Sequence, residues 1–166
     1  NEGASTIIAA IRFSGNALVS ERTLKSKMTL KEAGFMKGGA FQRSALEADK
    51  QAVVLYYQDR GYADARVLDV VQESVFNEKK GRNELTLTFV VQEGPQYTYA
   101  GTTISGNEIF SKETLLSYIK LKPGAVFNQT KYQEGLQGIT SLYAENGYMT
   151  NQYAPAVNKD VERRTI

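Results

Sequence analysis

Ser117 and Lys120 stand three apart in Ser117-Tyr118-Ile119-Lys120, the S-x-x-K spacing with which some serine acylases activate a hydroxyl. No S-D-N or K-T-G triplet accompanies it. The four residues fall on a short amphipathic helix in which Ile119 belongs to the apolar stripe, so the spacing reads as helix surface. The carboxylates of Asp59, Asp64 and Asp69 lack the spacing of a metal loop and read as solvated or capping groups. Histidine is absent, which removes the commonest general base and the commonest transition-metal ligand. Cysteine is absent too, so there is neither thiolate chemistry nor a disulfide. The expectation is a protein with no catalytic residue, no metal site and no cofactor, and an enzyme is disfavoured.

The net charge of +2, with both signs mixed along the chain, excludes the dense basic footprint of a nucleic-acid binder. The aromatic-rich RNP signature of an RRM is missing. Gly38-Gly39 is not the GXXG loop of a KH module. No apolar run approaches the ~20 residues that span a bilayer as a helix. Asn1-Glu2-Gly3-Ala4-Ser5 reads as a small polar lead-in, either the cut end of a longer protein or appended residues.

What must position any function is a repeat. Arg12-Phe13-Ser14-Gly15-Asn16, with Ser20, Thr23 and Leu24, is matched by Thr103-Ile104-Ser105-Gly106-Asn107, with Ser111, Thr114 and Leu115. The offset is 91 residues from Gly15 to Gly106, and 86 from Tyr57 to Tyr143, where Arg60-Gly61-Tyr62 meets Asn146-Gly147-Tyr148. A period this long implies two tandem domains of one fold, with 1–94 as the first and 95–166 as the second. Glu93-Gly94-Pro95 is a short linker that restricts the angle between them.

Thr6–Phe13 alternates as a strand with Ile7, Ala9, Ile11 and Phe13 on its inner face. Ser20 and Ser111 suit helix N-caps. A short helix fades near Met28. A glycine-rich loop over 29–40 follows, five residues longer than its counterpart, carrying Phe35 and Met36, expected to pack on the domain. The second helix runs from about Arg43 to Asp59. Its matching stripe in the other copy is Tyr132, Leu136, Ile139 and Tyr143; Lys50 breaks the stripe in the first. Gly61 and Gly147 end the two helices. Strands follow at 64–76 and 84–92, joined by a turn over Asn77–Asn83, with Leu85, Leu87, Phe89 and Val91 inward. The second copy begins at Tyr97 and Tyr99, with a β-bulge expected at Ala100-Gly101. It continues with helices at about 111–119 and 130–145, a strand at about 148–157 and a turn at Asn158-Lys159-Asp160. Only about four residues remain for its last strand, so the second domain is expected to be incomplete.

This order, repeated, resembles the POTRA domain. The marks are the start at Ile11–Asn16, the Y-x-x-x-G-Y helix ends at Tyr57–Tyr62 and Tyr143–Tyr148, and the V-x-E-G finish at Val91–Gly94. The Lys79-Lys80-Gly81 turn and the Glu93–Tyr97 linker are similar to the third and fourth POTRA domains of outer-membrane assembly proteins of the Omp85 family. The resemblance implies an α+β fold of two tandem β-α-α-β-β domains, each a three-stranded mixed sheet covered by two antiparallel helices. It implies a docking module on the periplasmic face of the bacterial outer membrane. Its partners would be unfolded outer-membrane proteins, accessory lipoproteins, neighbouring POTRA domains and a membrane β-barrel, with no nucleic acid. A POTRA module of another Omp85-type protein, such as a two-partner secretion transporter, is the alternative.

A sheet covered on one face leaves edge strands whose unpaired N–H and C=O groups can accept a strand from another chain. The candidate edge is Arg66-Val67-Leu68-Asp69-Val70-Val71-Gln72-Glu73. It holds no proline or glycine to block pairing, and Arg66, Asp69 and Glu73 guard it against aggregation.

Overall fold

The computed structural model describes residues 5–34, 40–148 and 153–166. Phe35, Met36, Gly38 and Gly39, the first four residues of the lead-in, and 149–152 of the expected strand lie outside the described residues. Among the described residues seven elements follow one another: β1 (Thr6–Ser14), α1 (Glu21–Ser26), α2 (Arg43–Gln58), β2 (Arg66–Asn77), β3 (Arg82–Gln92), α3 (Lys112–Leu116) and α4 (Gln129–Glu145). Contacts divide the chain into two compact units. One holds 1–57 and 64–94; the other holds 58–63 and 95–166.

The first unit is a three-stranded sheet in the order β1-β3-β2, with β1 parallel and β2 antiparallel to the central β3. Leu85, Leu87, Phe89 and Val91 of β3 are buried on one face, as their alternation requires. β1 departs from the expected alternation. Its register shifts between Ile8 and Ala10, so Ala9 is an extra, exposed residue. Ile8 then lies opposite Leu85, Ile11 opposite Leu87 and Phe13 opposite Phe89, the last two rings stacked with centroids 5.1 Å apart. A bulge turns the strand's later side chains back to the core face, and Ile8 replaces Ala9 there.

Ser20 caps α1, its hydroxyl accepting from the Thr23 N–H at 3.2 Å. The buried stripe of α2 is Leu46, Asp49, Val53 and Tyr57. The break is therefore Asp49, one residue before Lys50, and it is 1% exposed. Its carboxylate accepts from the Thr29 N–H at 2.7 Å, the Leu30 N–H at 2.8 Å and the Thr29 hydroxyl at 3.0 Å. A buried charge persists only when so satisfied. The chain turns at Gly15, φ +83°, where a Cβ would overlap the Val91 carbonyl oxygen.

The second unit has a core of Tyr97, Tyr99, Ile119 and Phe127. Among the described residues its β-pairing is limited to isolated bridges: Thr98 with Val126, Thr98 with Thr165 in parallel, and Asp160 with Thr165. The expected second three-stranded sheet is thus reduced to short pairings, and 153–157 are not in a strand. A strand exists only through its neighbour's hydrogen bonds, and no ladder partner faces 153–157 among the described residues. Gly101 has φ +133°, a conformation reserved for glycine, and among the described residues no pairing continues past it. The closing turn falls at 161–164, a few residues beyond Asn158-Lys159-Asp160. Asp160 Oδ1 accepts from the Arg163 N–H at 2.9 Å, and Arg164 takes φ +54°. α4 is capped by Asn128, which accepts from the Lys131 N–H, and ends at Gly147, φ +86°.

Candidate functional site

A three-stranded open sheet has two borders, and this one treats them differently. The β1 border is sealed from within. The Ile11 N–H donates to Glu32 Oε1 at 2.8 Å and the Phe13 N–H to Glu21 Oε1 at 3.0 Å. The Ile8 carbonyl accepts from the Ala33 N–H at 2.8 Å, and Ile7 bridges Ala40. The long loop after α1, together with the first residue of α1, thereby occupies the backbone groups a foreign strand would need. The Lys25 ammonium and the Ile11 N–H together hold the Glu32 carboxyl below the ordinary carboxylate range.

The β2 border carries no such cover among the described residues; no backbone hydrogen bond outside the β2–β3 ladder reaches Arg66–Asn77. All eight residues Arg66 to Glu73 are consecutive on this strand. Arg66 Nε donates to Gln92 Oε1 at 2.7 Å. Val67 and Val70 are half-buried, opposite Val91 and Phe89. Leu68 is a bulged residue between Val67 and Asp69, 52% exposed. From Asp69 to Asn77 the ladder is regular. Antiparallel geometry turns the N–H and C=O of every second residue outward along such a run.

Asp69, Val71, Glu73 and Val75 lie opposite Val90, Thr88, Thr86 and Glu84, which are all half-buried. Val71 is 39%, Val75 69% and Phe76 43% exposed. Val75 and Phe76 lie beyond the candidate segment read from sequence. The signal for them was the continuation of the strand past Glu73 with two large apolar residues just before the turn. Val71 and Val75 share one face of this border and Phe76 lies on the other; a regular, uncovered border is where strand addition gains both hydrogen bonds and side-chain contact.

Ser117 and Lys120 do not form a nucleophile pair. Ser117 Oγ donates to the Thr114 carbonyl at 2.6 Å, and Lys120 Nζ donates to the Ser117 carbonyl at 2.7 Å. Asp59 is a capping group: its oxygens accept from the Thr130 N–H at 2.7 Å and the Thr130 hydroxyl at 2.8 Å. No group of three or more His, Cys, Asp or Glu side chains that could hold a metal occurs among the described residues. Among them, too, no helix is long and apolar enough to cross a membrane.

The family described as POTRA, surface antigen variable number repeat, matches residues 6–94 and 97–166. A Treponema pallidum (strain Nichols) protein named for outer membrane protein assembly is 42% identical over 165 residues, 99% of this chain and 20% of that protein. Outer membrane protein assembly factor BamA of Neisseria meningitidis serogroup B is 28% identical over 172 residues, 100% of this chain and 21% of that protein. The chain thus spans about a fifth of the length of the curated relatives it matches. Among solved structures, the POTRA3-5 fragment of Haemophilus influenzae BamA superposes with a TM-score of 0.69 at 25% identity, covering 96% of this chain and 63% of that one. BamA of Haemophilus ducreyi lacking POTRA domains 1–3 superposes with a TM-score of 0.58 at 20% identity, covering 85% and 24%.

Proposed function

The chain belongs to the POTRA family, and on that premise we propose that it docks extended polypeptide by strand addition along β2. It is the POTRA region of an outer membrane protein assembly factor and not an enzyme. The clients would be unfolded outer-membrane proteins and the accessory lipoproteins of the assembly complex, met on the periplasmic face of the outer membrane. The observation that carries the reading is the asymmetry of the sheet: β1 is closed by Glu21, Glu32 and the loop after α1, while β2 is open from Asp69 to Asn77.

Each backbone hydrogen bond gained contributes about 0.5–1.5 kcal/mol net. A handful gives weak, reversible capture with little demand on client sequence, which suits a module that must release what it binds. The test is titration with a peptide of alternating apolar and polar residues, followed by amide shifts, on the unaltered chain and on Val70→Pro and Val71→Pro. Successive N–H groups point to opposite sides of a strand, so one of the two prolines faces outward and is tolerated by the fold. That variant keeps its circular dichroism and loses about tenfold or more in affinity. Shifts centred on β1 instead of β2, or binding that survives the tolerated proline, overturn the reading.

A further inference from the structure

The second unit holds a cavity of ≈ 550 Å³ whose lining is strongly one-signed. Arg60, Lys120, Lys122 and Lys131 line it together with Asp59, its single carboxylate. Both Asp59 oxygens are already engaged by Thr130, as described above. Lys120 Nζ reaches the Ser117 carbonyl. Among the described residues no ion pair holds Lys122 or Lys131. The cavity also adjoins the first turn of α4, a helix of 17 residues whose positive end adds to the same field. Val126, 43% exposed, contributes an apolar wall.

Lys122 and Lys131, which no ion pair holds among the described residues, favour an anion with more than one charge and several acceptor oxygens. A phosphate group has both, and lysine binds it as a point charge on a flexible stem. The volume exceeds that of a bare ion and leaves room along Val126 for whatever carries it. We propose that this cavity is a binding site for a phosphate group borne on an organic body, separate from the β2 border. A soluble phosphate monoester and the head group of an anionic lipid share this chemistry.

The test titrates the intact chain with glycerol 3-phosphate, reading the amide shifts of Ala125, Thr130 and Lys131. In parallel the chain is floated with vesicles of phosphatidylglycerol or of phosphatidylcholine. Saturable shifts that weaken about tenfold or more in a Lys122→Gln/Lys131→Gln variant, and not in Lys112→Gln, support the site with a soluble occupant. Flotation with phosphatidylglycerol alone, dependent on the same two lysines, supports it with a lipid occupant. The site is overturned if neither response occurs, if sodium chloride at equal ionic strength reproduces the shifts, or if the double variant, its circular dichroism unchanged, binds as before.

Discussion

Aligned by the repeat, α2 and α4 place different residues at one position: Asp49 in the first copy, Gly135 in the second, 86 residues apart. Both are buried on the inner side of their helix. Asp49 reaches out with a carboxylate and holds the backbone at Thr29 and Leu30. Gly135 removes the side chain, and the backbone of Tyr118 and Ile119 comes so close that a Cβ would lie 3.0 Å from the Tyr118 oxygen and from Ile119 Cα. One fold thus fastens the segment after its short helix in two ways, by hydrogen bonding across a gap or by closing the gap. The borders differ in the same manner. Glu21, which seals β1, is replaced by Lys112 in the second copy, so that bond has no equivalent there.

The largest effect belongs to Asp49. Asp49→Ala leaves buried N–H donors unpaired and should cost about 3 kcal/mol in urea unfolding. A cost below ~1 kcal/mol would mean that the carboxylate does not fasten the segment. Gly61 and Gly147 sharpen the comparison, since both end a helix at nearly the same φ, +88° and +86°. A Cβ on Gly61 would meet the Tyr97 oxygen at 2.7 Å, whereas one on Gly147 meets nothing within 4 Å among the described residues. Gly147→Ala should therefore cost about 1–2 kcal/mol for the backbone alone, and Gly61→Ala a further ~1–3 kcal/mol for the overlap. Equal costs would remove the steric difference.

Gly135→Ala comes next. Its gain in helix propensity, about 1 kcal/mol, is outweighed by crowding of Ile119, for a net loss of about 1 kcal/mol in thermal unfolding. Arg164 occupies, 83 residues on, the turn position that Gly81 holds at φ +60°. Arg164→Gly should stabilise the second unit by up to about 1 kcal/mol, and no gain would show that the arginine side chain repays its strained backbone. The smallest effect is a pH dependence at the sealed border. The folded carboxyl of Glu32 lies below its ordinary value, so its contribution is complete above the ordinary carboxylate range. It is lost as pH falls through the depressed folded value. Glu32→Gln should flatten the acid limb of the stability profile slightly, and an unchanged limb would separate Glu32 from the sealing of β1.

Much of the first copy was legible because its signals are local. The alternation of Leu85, Leu87, Phe89 and Val91 and the capping serines each depend on a few neighbouring residues. Asp49 was not legible, because a carboxylate on a helix reads as solvated until the loop it satisfies is in place. The bulge at Ala9 was hidden for a related reason. Ile7, Ala9, Ile11 and Phe13 alternate well on paper, and only the register against β3 makes Ala9 the extra residue.

For the candidate site, sequence located a strand free of proline and glycine and placed it last but one in its domain. It also set the repeat, and with it the family. It named Arg66–Glu73 as the candidate edge but could not show that the other border is closed, because Glu21 and Glu32 reach β1 from 8 and 21 residues away in sequence. Nor did it gather Arg60 with Lys120, Lys122 and Lys131, which are separated by some sixty residues or more of chain on one side and about ten on the other. Periodicity and caps are written residue by residue. Whether a backbone N–H is already bonded, and which charges share a cavity, depends on distances that only the folded chain brings into being.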